Sequence, residues 1–278
     1  MTNKEIINTL KRLDLSTYPY DEVMRLVSMF QPKFLRITLP QGCIIERIRP
    51  DINVYERQEV SYRPADKNTR PQRATLPGKT AFYGTMCHVE ESLMNTRYIA
   101  LLEASRLVKQ GLTANGEEHY TLSRWITSQP IKLAVFVHDS VFKEAVHNRL
   151  LVVAKQKWDN GKTFIDDVFQ AEEYSRYVTS QFSKPVTEDY EYIITATIAE
   201  MLMYASRCDG VMYPSVQAEG DYGMNVALRP DVADTKLRLA DVREMKYVQK
   251  NGNGNLGFTK QCVPVEMDER GIKKWGYK

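Results

Sequence analysis

The chain has 278 residues, 43% of them apolar and 26% charged, the composition of a globular protein long enough for a sizeable core. Its 38 basic and 35 acidic residues leave a formal charge of +3, too small a surplus to mark a nucleic-acid groove. No apolar run reaches the roughly 18 residues of a membrane span, and the polar start MTNKEIINTLKRLDLS lacks the apolar stretch of a secretory signal, so the cytoplasm is the expected compartment. Cys43, Cys87, Cys208 and Cys262 lie far apart and form no C-x-x-C pair. The run Cys87-His88-Val89-Glu90-Glu91 points in several directions, and no metal is expected.

In chain order, residues 4–30 read as two short helices around the breaker Ser16-Thr17-Tyr18-Pro19. Asp21 and Glu22 open the second helix, and Val23, Leu26, Val27 and Phe30 give it a packing face. Residues 42–49 alternate toward their end as a half-buried strand. Residues 50–80 carry Pro50, Pro64, Pro71 and Pro77 and read as a long ordered loop. A brief strand spans Thr80 to Gly84, and a helix runs from Arg97 to Gln110, ended by Gly111. Ile131–Val137 is a buried strand, and residues 166–182 and 190–206 are two further helices. Asp209-Gly210 turns into a strand over Val211–Val216, which Pro214 should end or confine to a sheet edge. A glycine turn leads to the strand Met224–Leu228, and the asparagine- and glycine-rich tail from Asn251 reads as a mobile loop with a short appended strand or coil. No repeat and no domain boundary shows, so one α+β domain is expected.

Three features bear on chemistry. Arg47, Arg49, Arg57, Arg63, Arg70 and Arg73 fall within one strand and one irregular loop. Their guanidinium forks suit an anionic ligand, but on composition alone a solvated loop with scattered charges is the simpler reading. Glu103, between Leu102 and Ala104, either faces the core, where a carboxylate needs a partner or a task, or lies on the polar edge of its helix. Ser215 follows Tyr213-Pro214 at a strand end, placed for a ligand contact or for capping a turn, and no G-x-S-x-G surrounds it.

Taken in this order, Arg73-Ala-Thr-Leu-Pro-Gly78, Phe82-Tyr-Gly84, Ala100-Leu-Leu-Glu103, Trp125, Asp209-Gly-Val-Met-Tyr-Pro-Ser-Val216 and Asn225-Val-Ala-Leu resemble the RES domain family, named for an arginine, a glutamate and a serine. The resemblance runs from about Ile45 to Leu239. It matches Arg73, Glu103 and Ser215 to catalytic positions, and Arg47 or Arg49, Arg73, Tyr83, Ser215 and Asn225 to NAD-binding ones. The segment Met86–Thr96 is longer than in compact members, which leaves Glu90 and Glu91 as competitors for the glutamate. The fold implied is α+β of ADP-ribosyltransferase type: a split β core flanked by helices, with a helical N-terminal extension at 1–33, the catalytic domain at 34–250 and a tail at 251–278.

The activity implied is toxin-like cleavage of the nicotinamide–ribose bond of NAD, by phosphorolysis, hydrolysis or ADP-ribosyl transfer. NAD is then the substrate, and no metal takes part. A helix-turn-helix antitoxin is the implied partner, and neither membrane nor direct nucleic-acid binding is expected. The alternative is a degraded nucleotide- or partner-binding module of the same fold. Arg47, Arg73, Tyr83, Glu103 and Ser215 are expected to line one cleft.

Overall fold

The structure is a computed structural model that describes residues 1–30, 34–87, 93–111, 113–136, 156, 168–215 and 223–278. In chain order its elements are α1 (Asn3–Leu10), α2 (Tyr20–Ser28), β1 (Leu35–Leu39), β2 (Ile44–Arg49), α3 (Arg57–Val60), β3 (Phe82–Cys87), α4 (Leu93–Ala104), α5 (Arg106–Lys109) and β4 (Gly116–Thr127). There follow β5 (Ile131–Val135), α6 (Val168–Ser183), α7 (Ile193–Tyr204), β6 (Gly210–Pro214), β7 (Met224–Leu228), α8 (Pro230–Lys236), β8 (Leu237–Lys250), β9 (Asn253–Asp268) and β10 (Gly271–Tyr277). This is mixed α+β. The chain divides into two compact units, each assembled from three stretches: Met1–Leu39, Arg63–Ala81 and Lys132–Arg229 form unit 1, and Pro40–Tyr62, Phe82–Ile131 and Pro230–Lys278 form unit 2. No helix among the described residues is long and apolar enough to cross a membrane.

Unit 1 orders its strands β1-β5-β6-β7, with β5 and β6 parallel and β6 and β7 antiparallel. Thr2 and Glu5 close a capping box on α1, and Ile6, Ile7 and Leu10 bury its inner face. Val23, Leu26 and Val27 bury α2 at the helical spacing its sequence shows. Helices α6 and α7 both pack on β6. All five β6 residues are buried between neighbouring strands. Pro214 therefore ends an interior strand and does not lie on an edge.

Unit 2 orders its strands β3-β2-β4-β8-β10-β9, mostly antiparallel, with β8 and β10 parallel at one register point. Period-two alternation gives β2 two faces. Ile45 lies opposite Trp125, and Phe82 packs edge-on against Trp125 at 5.2 Å, which defines one face. Glu46, Ile48 and Leu122 occupy the other face, which α4 covers: its Leu101 joins Leu122, Tyr120, Met245 and Tyr247 in one cluster, with Ile48 against it.

Two expectations are corrected here. The helix read as Arg97–Gln110 is two helices. Ser105 takes an extended backbone (φ −74°, ψ 130°) and caps α5 by accepting a hydrogen bond from Val108 N–H. Glu118 of β4 reinforces the break by accepting from the Ser105 hydroxyl at 2.5 Å and from the Arg106 backbone N–H at 3.1 Å. The tail from Asn251 is the hairpin β9–β10. Asn251 and Gly252 both have positive φ (51° and 79°) and join Lys250 to its partner Asn253, the two-residue turn that matches the twist of paired strands.

Candidate functional site

Arg47 leaves β2 on the Trp125 face. Its Nη1 donates to the Tyr83 carbonyl at 2.6 Å, and its guanidinium carbon lies 5.6 Å from the centre of the Phe82 ring. Gly84 makes the approach of β3 to β2 feasible, because a Cβ there would come within 2.5 Å of Ile45 Cγ2 and 3.2 Å of the Glu46 carbonyl oxygen. Burial first, and Arg49 second, pull the Arg47 guanidinium down to about 10, so it stays a cation at neutral pH. Among the described residues it forms no ion pair, and its buried Nε has no hydrogen-bond partner. Arg49, the neighbouring candidate, is bound to Asp51 at 3.0 Å and reaches the Ser61 carbonyl at 3.4 Å. The carboxylate therefore goes to Arg49, and Arg47 is left with one carbonyl.

Glu46, one residue earlier, points to the opposite face and is fully buried. Its Oε1 accepts from Arg97 of α4 at 3.3 Å and from Arg124 Nε and Nη2 at 3.1 and 3.0 Å, while Oε2 has no partner among the described residues. This network was not anticipated. The signal available was a glutamate between two isoleucine-flanked positions of a strand, which reads equally well as a solvated face. Arg97 and Arg243 also lie 5.1 and 4.9 Å from the centre of the half-exposed Phe258 ring.

Glu103 is half-buried in the last turn of α4, beside the Ser105 break, and its carbonyl accepts from Lys109 Nζ at 2.6 Å. Because α4 covers the Glu46 face, Glu103 belongs to the side of β2 opposite Arg47. Tyr83, two residues from Thr85 (the cross-strand partner of Glu46), shares that side with α4. Arg47 meets Tyr83 through the backbone only. Glu118, which holds the break, has its carboxyl lowered although burial opposes this; hydrogen bonds from Ser105, Tyr120, Leu107 and Arg106 outweigh it. The competitors Glu90 and Glu91 lie outside the described residues, as does Val216.

In unit 1, Arg73 donates from Nη1 to the Phe182 carbonyl at 2.8 Å and from Nη2 to the Lys184 carbonyl at 3.3 Å, and lies 5.0 Å from the Tyr192 ring centre. It satisfies carbonyls that the end of α6 leaves over. The Phe182 ring stacks on Phe136 at 4.2 Å and tilts against Tyr213 at 5.3 Å. Tyr213 pairs across the strands with Asn225, so Tyr213, Ser215 and Asn225 share one face of the β6–β7 pair. Ser215 is wholly buried, and its N–H donates to the Gly223 carbonyl at 2.9 Å. Arg73 is thus one residue, Phe182, removed from the strand that delivers Ser215. No protein-family model matches the chain, and no curated protein matches it significantly.

Proposed function

We propose that the chain binds NAD through its pyrophosphate at Arg47 and cleaves the nicotinamide–ribose bond. The observation that carries the reading is the half-buried Arg47, whose Nε is enclosed without a hydrogen-bond partner and whose guanidinium has one backbone carbonyl and no carboxylate among the described residues. A desolvated cation in that state is costly, and an anionic oxygen would offset the cost with charge-assisted hydrogen bonds. The resemblance to RES domains supplies the rest. In cleavage the C1′–N bond breaks, nicotinamide leaves with the electron pair, and water, phosphate or a protein side chain bonds C1′ and gives up a proton. The resemblance gives Glu103 the task of steadying the positive charge that builds on the ribose, and the place of Glu103 on the face of β2 opposite Arg47 weighs against that task at this site. An antitoxin-like partner belongs to the same reading.

A second reading, a nucleotide-binding module without turnover, is favoured by one observation: α4, with Glu103, covers the face of β2 opposite Arg47. Incubation with NAD, with and without phosphate, and identification of the products separates the two. Release of nicotinamide that Arg47→Ala moves to higher NAD concentration supports the enzyme. Saturable NAD binding that Arg47→Ala abolishes, with no nicotinamide released, supports the module. Binding unchanged in Arg47→Ala removes both.

A further inference from the structure

Away from the residues of the candidate site, unit 1 holds a groove of about 350 Å³ between α1 and α6. Ile7 and Tyr177 are its buried floor, and Lys4, Lys11, Glu173 and Arg176 are among its walls. Burial raises the Tyr177 hydroxyl far above its ordinary value, so the floor is neutral as well as apolar. Arg176 is paired with Glu172 at 2.8 Å. Lys4 and Lys11 have no carboxylate partner among the described residues, and Glu173 on the α6 wall is the one carboxylate among the lining residues, so the excess positive charge of the groove sits on the α1 wall.

The two lysines are seven residues apart in sequence, close to two helical turns, or roughly 10 Å along α1. Cations that far apart do not converge on a single phosphate. They match two carboxylates on an elongated ligand, and the apolar floor between them matches a side chain carried between those carboxylates. We propose that this groove docks an acidic, amphipathic helical segment of another protein, with an apolar anchor flanked by carboxylates about two turns apart. The charge complementarity lies wholly on exposed lysines, so it governs recognition and salt dependence without contributing to the fold.

The test uses the full chain and a labelled synthetic helical peptide carrying Glu at positions i and i+7 and Leu at i+3 and i+4, read by fluorescence anisotropy. Saturable binding is expected that weakens with added salt and that the double variant Lys4→Glu, Lys11→Glu weakens on the order of tenfold or more. The double variant should leave the response to NAD unchanged, which keeps this result separate from the fate of the NAD reading. If the double variant melts early, Lys11→Ala alone decides, with a severalfold loss expected. Equal affinity for the Glu→Gln peptide, undiminished binding by the charge variants, or no saturable binding up to millimolar peptide would each overturn the proposal. Displacement of the peptide by tripolyphosphate or duplex DNA at lower concentration would also overturn it, because the groove would then be a general polyanion site.

Discussion

The two units fill their interiors with different chemistry. Unit 1 is apolar and aromatic inside. Helix α7 buries Ile193, Ile194, Ala196, Ile198, Ala199, Leu202 and Met203, and Phe182 wedges between Phe136 and Tyr213. Unit 2 carries buried charge across its sheet: Glu46 between Arg97 and Arg124, Glu244 under Lys260, and Arg57 bound by both of its Nη atoms to Asp268. The same contrast separates the two arginines expected to clamp a ligand. Arg73 is absorbed into the end of α6, whereas Arg47 sits in the charged unit and still lacks a carboxylate among the described residues. An apolar core tolerates no unpaired cation without a nearby carbonyl, and there α6 provides two. A charged interior can hold such a cation ready for a ligand.

The largest effects should come from the centres of the two interiors. Phe182→Ala in unit 1 and Glu46→Ala in unit 2 should each cost about 3–5 kcal/mol, the first through a cavity and the second by stranding two guanidiniums. They should differ in rescue. Replacing Glu46, Arg97 and Arg124 together by Leu, Met and Met should restore much of the loss, since paired charges of this kind are often matched by apolar residues of similar volume. Urea unfolding midpoints check both variants, and a triple variant as unstable as Glu46→Ala would show that the comparison is wrong.

A smaller effect tests the approach of β3 to β2. Gly84→Ala puts a methyl group against Ile45, which is fully buried, and should cost about 1–3 kcal/mol. If Gly84→Ala melts with the wild type, the strands separate more easily than their contacts imply. The same variant should weaken NAD binding, because Arg47 reaches the Tyr83 carbonyl beside Gly84.

The smallest effect is in pH. The Arg57 side-chain hydrogen bonds hold the Asp268 carboxyl down to about 2 from an ordinary 3.8. A carboxyl lowered by folding contributes stability that is complete above about pH 4 and is lost as pH falls through about 2. The difference in unfolding midpoint between wild type and Asp268→Asn should therefore be constant from neutral pH down to about 4 and shrink below it. A difference that persists unchanged at pH 2 would mean that the carboxylate is not what Arg57 holds. The partial exposure of the pair keeps the effect modest.

Much of the local structure could be read because it depends on neighbours in sequence. The spacing of Val23, Leu26 and Val27 is enough to predict α2, because period acts within a few residues, and Pro214 narrows β6 to a strand end or a sheet edge, of which the fold takes the end. The β8–β9 turn is equally local: Asn251-Gly252 is a strong hairpin signal, which the surrounding asparagines and glycines disguise as a loose loop. The break at Ser105 was not open to reading in the same way, since it needs Glu118, which reaches α5 only after β4 has folded beside it. The polar Ser105 then looks like one more residue on a helix face.

The sequence by itself determined the elements whose period and end signals are local, such as α2, α7 and β6, and the order of an arginine, a glutamate and a serine that resembles RES domains. Only the tertiary structure decided what those residues touch. It assigned Asp51 to Arg49 and left Arg47 with a carbonyl, gave Arg73 the end of α6, and made Glu46 the buried carboxylate of unit 2. Periodicity is a property of the local backbone and survives in the one-dimensional chain. The Glu46 network joins residues 51 and 78 positions apart, brought within a few ångströms by strand register, and no local pattern encodes it.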